Sequence, residues 1–106
     1  MEISSITQQI VSYAVIYNFN PKTVLKIAEC ESSFKNVSVP NKKDGKVWSY
    51  DIGPFQINNY FHSKEARLNG LDLHDPEDNI SMAFLLMQKN QFKDWSASKK
   101  CWSGVS

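Results

Sequence analysis

Two carboxylates in this chain stand where acid–base work on a glycosidic bond can be built. Glu31 closes the apolar stretch of IAECESSF, with Phe34 three residues on. A carboxyl group among apolar neighbours has its ionised form destabilised, so its pKa rises and it can keep a proton near neutral pH. A general acid for glycoside cleavage needs that property. Taken alone, the commoner reading of such a residue is a solvated surface carboxylate. Glu29, two positions earlier, projects from another part of the helix and makes no pair with it. Asp51 comes twenty residues later, just after a strand-like stretch that can carry it across from the helix end. Carboxyl groups about 5–5.5 Å apart suit a retaining glycosidase and roughly 6.5–9.5 Å an inverting one. Asp51 can equally hydrogen-bond the backbone near Gly53.

Other chemistries lack their residues. There is no HExxH, no Gly-rich phosphate loop and no GxSxG. His62 and His74 have no cysteine or carboxylate arranged around them as ligands, and exposed or hydrogen-bonded roles are expected of both. Cys30 and Cys101 are too few for zinc. They are either two buried thiols or one disulfide tying the C-terminal tail to the helix of Glu31, which would imply an oxidising compartment. No metal and no cofactor are expected.

The elements that must position these groups are mainly helical. Ile3, Ile6, Ile10, Ala14 and Tyr17 recur three or four apart, which predicts a helix over 3–17. Asn20-Pro21 supplies a cap and a first-turn proline for a second helix running through Val24, Leu25, Ile27 and Ala28 to Glu31. Residues 35–50 hold turn formers, and Val47, Trp48 and Tyr50 alternate loosely, so a loop or small β-hairpin is expected. Gly53-Pro54 punctuates it before the apolar turn Phe55-Gln56-Ile57. SKEARLNG predicts a short helix closed by Gly70. Asp75-Pro76-Glu77-Asp78 starts another, with Ile80, Ala83, Phe84 and Met87 as its core stripe.

With 106 residues, 42% of them hydrophobic, the chain has the size of one domain spanning 1–106. A formal charge of +1 argues against bulk electrostatic binding of nucleic acid. No run of about eighteen apolar residues suggests a transmembrane helix. Glu2 stands where a secretory signal would carry Lys or Arg, so no signal peptide is evident.

The ordered set of ESSF, SYDIGPFQIN and DPEDNISMAFLLM resembles the lysozyme-like superfamily, in particular lytic transglycosylases of the soluble-lytic-transglycosylase (SLT) type. The resemblance spans about residues 24–88, and WSASKKCW is similar to the tail of some bacterial members. It places the family's catalytic Glu on Glu31, followed by Ser32 and the aromatic Phe34. Its Gly-x-x-Gln-Ile cleft segment falls on Gly53, Gln56 and Ile57, and its Asn-Ile helix on Asn79 and Ile80. Pro54 and Phe55 stand where Leu-Met is more usual, and the Tyr-Asn pair that many members carry near the C-terminus is absent. DIGPFQIN is also similar to a stretch of c-type lysozymes whose second carboxylate would fall on Asp51.

The resemblance implies a mainly α (α+β) lysozyme-like fold, with a small β-hairpin or loop beside the cleft. It implies cleavage of the β-1,4 bond between N-acetylmuramic acid and N-acetylglucosamine in peptidoglycan, by a monomer, outside the cytoplasm: in the periplasm or cell wall, secreted or phage-associated. A transglycosylase would leave 1,6-anhydro products; a muramidase would use water, with Asp51 as second carboxylate. A non-catalytic wall-glycan-binding module is the answer of a different class. Gln56 and Asn58 offer paired donors and acceptors for sugar groups, Ile57 and Phe55 flank them, and Ser32 can bond near the acid. Tyr60 and Trp95 offer flat faces with a polar edge, as do Trp48 and Trp102. If Cys101 is tied to Cys30, Trp95 must lie beside Glu31 as an apolar wall.

Overall fold

A computed structural model describes residues 3–104 of the chain; Glu2 and the side chain of Ile3 lie outside the described residues. The first helix, α1 (Ile3–Tyr17), buries Ile6, Ile10 and Ala14, as its spacing predicts. Asn20 caps α2 (Pro21–Ser32), its side chain accepting from the Lys22 amide, with Pro21 at the first turn. Such a cap contributes about 1 kcal/mol. Val24, Ile27 and Ala28 of α2 are fully buried, so the helix is held by its apolar face up to the turn that carries Glu31.

Three antiparallel strands follow: β1 (Ser38–Lys43), β2 (Lys46–Ile52) and the two-residue β3 (Ile57–Asn58), in the order β1-β2-β3. The hairpin is the expected one. The third strand is additional: Asp51 pairs with Asn58 and Ile52 with Ile57 across β2 and β3. Asp51 therefore lies within β2 rather than after it.

Helix α3 (Asn59–Leu68) begins four residues before the predicted Ser63. The missed signal is Asn58, whose side chain accepts from the Phe61 amide at 3.2 Å and starts the helix there. Gly70, at φ +70°, follows its end. Asp75 caps α4 (Pro76–Asn90) by accepting from the amides of Glu77 and Asp78. Helix α4 is the centre of the molecule, with Ile80, Met82, Ala83, Phe84 and Met87 fully buried. Rings of Tyr13, Tyr17, Phe19 and Phe55 gather around Phe84 at centroid distances of 5.4–6.4 Å. The tail forms a 3-10 helix (Lys93–Ser98) and a last turn, α5 (Lys99–Trp102). Cys30 and Cys101 are disulfide-bonded, which fixes α5 against α2.

One buried polar knot joins sheet and helices. Asn79, fully buried, donates to the carbonyls of Ile52 (2.8 Å) and Leu73 (3.0 Å) and accepts from the Phe55 amide (3.1 Å). A side chain on Gly53 (φ +81°) would put its Cβ 2.3 Å from the Asn79 amide nitrogen. The Gly53 and Asn79 positions are thus two halves of one packing requirement. Among the described residues, no helix is long and apolar enough to cross a membrane.

Candidate active site

An open cleft of about 450 Å³ forms where the end of α2, the sheet, the start of α3 and the tail converge. Glu31 and Asp51 both line it, one from the helical side and one from the sheet. Glu31 occupies the last turn of α2 and is half-buried, because the helix face below it packs into the core. Burial pushes its carboxyl up from the ordinary 4.5; the Ser98 hydroxyl partly offsets this, and the negative charge of Asp51 adds to the rise. Ser98 donates to Oε2 of Glu31 at 2.5 Å. Glu29 is exposed and paired with Lys26 at 2.6 Å, away from this arrangement.

Asp51 is held differently. Its Oδ1 accepts from the Asn58 amide nitrogen at 3.1 Å, and that nitrogen also donates to the buried Ser49 hydroxyl at 3.0 Å. Asn41 donates to the same hydroxyl. A chain of small polar groups thus runs through the sheet to Asp51. Asn58 has three tasks: it lines the cleft, caps α3 and orients Asp51.

The remaining expected site residues divide. Gln56 and Ile57 line the cleft with Asn58. Gln56 sits at φ +51°, and its amide nitrogen donates to the carbonyls of Val37 and Gly53, both at 3.0 Å. Trp95 lies in the cleft wall and is buried, its indole nitrogen donating to the Phe55 carbonyl at 2.9 Å.

Phe55, Ser32, Tyr60 and Trp102 do not line the cleft. The Phe55 side chain is fully buried, packed edge-on against Trp95 and Phe84, so it can touch no substrate. Ser32 donates to the Pro54 carbonyl at 2.7 Å and so clamps α2 to the turn. Tyr60 is exposed beside Trp48 and outside the cleft. Trp102 is a core residue bonded to the Trp95 carbonyl.

Sequence reasoning left Ser98 and Asp94 unnamed and gave His62 only an exposed or hydrogen-bonded role. His62 and Asp94 face each other across 3.9 Å in the cleft wall. No local pattern marks Ser98; only the disulfide three residues later hints that it approaches Glu31. His74 takes no part, its backbone carbonyl accepting from Asn36.

The arrangement pairs a carboxyl disposed to hold a proton with a second carboxylate across an open groove. Residues 8–99 match the family described as transglycosylase SLT domain. No curated protein matches the chain.

Proposed function

Since the chain belongs to the transglycosylase SLT domain family, whose members cleave peptidoglycan glycan outside the cytoplasm, we propose that it is a lytic transglycosylase with Glu31 as its acid and base. The half-burial of Glu31 in a cleft, with its carboxyl pushed upward, is the observation that carries the reading. A protonated Glu31 gives its proton to the β-1,4 bridging oxygen between N-acetylmuramic acid and N-acetylglucosamine. As that bond breaks, positive charge develops on the muramoyl anomeric carbon. The carboxylate left behind takes the proton of the muramoyl C6 hydroxyl, whose oxygen closes on the anomeric carbon to give the 1,6-anhydro product.

Ser98 acts as a positioning residue: its hydroxyl fixes one oxygen of Glu31 and leaves the other for the proton transfers. Trp95 walls the acid off from water, and Gln56, Ile57 and Asn58 present the sugar-facing edge. The Cys30–Cys101 bond suits an oxidising compartment outside the cytoplasm.

Asp51 on the opposite wall favours one second reading, a muramidase in which water replaces the C6 hydroxyl and Asp51 stabilises or attacks the anomeric centre. Mass spectrometry of digested sacculi separates the two. Anhydromuramoyl ends are expected; a digest with reducing ends alone would overturn the transglycosylase reading in favour of hydrolysis. Zymography beside Glu31→Gln tests catalysis itself: equal clearing by both proteins, or by neither, would leave a glycan-binding module.

A further inference from the structure

We propose that Trp48, Tyr60 and Phe61, flanked by Lys42 and Lys43, form an accessory subsite that holds a peptide-bearing stretch of the glycan strand beyond the catalytic cleft. The proposal rests on the peptidoglycan reading above.

The three rings pack on one another edge to face, with centroids 5.2–6.2 Å apart. Yet Trp48 is 47%, Tyr60 69% and Phe61 66% exposed. Rings buried for folding do not leave so much area to water, and a contiguous patch of this kind marks a binding surface. The hairpin is built to present it. Asn41 pairs with Ser49 and Lys42 with Val47, so Trp48 is the extra residue of a β-bulge. Bulges re-aim side chains, and this one brings Trp48 to the two rings at the start of α3.

Continuity and charge identify the occupant. Phe61 also lines the catalytic cleft, so a strand leaving that cleft passes onto the ring cluster without a gap. Lys42 and Lys43 border the same depression as Trp48 and Tyr60. Lys43 pairs in register with Lys46, and like charges directly opposite destabilise a hairpin. Among the described residues none of these three lysines forms an ion pair. An anionic ligand would relieve that repulsion. Sugar rings supply flat C–H faces for the aromatics, while Trp and Tyr polar edges suit hydroxyls. The stem peptides supply the carboxylates. Lysines are depleted from protein–protein interface cores, which favours the glycan over a protein partner.

The experiment measures binding without turnover, by co-sedimentation of Glu31→Gln protein with intact sacculi and with glycan strands stripped of their stems and amidated at the muramic carboxyls so freed. Adding Trp48→Ala or Tyr60→Ala should weaken binding to both preparations by roughly fivefold to tenfold. Adding K42E/K43E should weaken binding to stem-bearing sacculi alone, and high salt should erase that difference. All these positions are exposed, and matching melting curves would confirm that each variant folds. Unchanged sacculus binding in every variant would overturn the proposal and leave the patch to a protein partner. An equal loss on both preparations in K42E/K43E would remove the stem carboxylates from it. Failure of the underlying reading shows elsewhere, as absence of cleavage products from the parent protein.

Discussion

The two walls of the cleft hold their carboxyl groups by opposite means. Glu31 rests on a helix whose inner face is fully buried at Val24, Ile27 and Ala28, and its carboxyl has one side-chain donor, Ser98. Asp51 sits in a sheet whose first strand is almost wholly exposed, and it is anchored through Asn58 and Ser49. On the helical wall a packed apolar layer desolvates the Glu31 carboxyl. The sheet fixes its carboxyl through hydrogen bonds from Asn58, which is itself bonded to Ser49. One wall holds a carboxyl disposed to keep its proton, and the other holds a carboxyl fixed by hydrogen bonds.

The largest test of this division is Glu31→Gln. Loss of general acid catalysis should lower release of soluble muropeptides by about 10³-fold. The same variant should also melt higher than the parent at pH 7. The sign follows from the raised carboxyl: the folded state holds its proton more tightly than the unfolded chain, so stability falls as pH rises from 4.5 through the folded value. Below pH 4.5 the two melting temperatures should converge; a difference between the two proteins that stays the same at both pH values would contradict the burial of the charge.

Next in size is the staple. Cys30 and Cys101 are 71 residues apart in sequence, and closing such a loop stabilises by about 4 kcal/mol in the chain-entropy model. Cys30→Ser/Cys101→Ser should lose stability of that order in urea titrations. It should also lose activity, since the tail that carries Ser98 and Trp95 is freed from α2.

A smaller effect is expected of Ser98→Ala. Its hydroxyl favours the ionised form of Glu31, so its removal raises the carboxyl further. The limb of the pH–rate profile governed by deprotonation of Glu31 should move to higher pH, with activity reduced several-fold. An unmoved limb would reduce Ser98 to a structural role. Asp51→Asn should cost least, a few-fold, if the C6 hydroxyl completes the reaction. A loss as large as that of Glu31→Gln would make the walls catalytic equals and favour the muramidase.

Much of the scaffold was legible in the sequence because its signals are local. The stripe of α1, the Asn20-Pro21 and Asp75-Pro76 starts and the hairpin around Val47–Tyr50 all rest on neighbours within a few residues. The early start of α3 was missed because Asn58 gives a weak cap signal with no apolar run directly after it. Phe55 was misplaced because an aromatic in a cleft motif serves core and cleft equally well until packing chooses. Here Trp95 and Phe84 claim the ring, and its backbone alone faces the knot.

Residue order and spacing determined the helices, the hairpin and the family, and singled out Glu31, since each depends on short-range pattern or on an ordered motif. Tertiary structure decided the surroundings of Glu31. Ser98 is 67 positions away and Asp51 lies on another element, and their contribution depends on distance and desolvation. Those are properties of chain segments brought together through space, which local pattern does not carry.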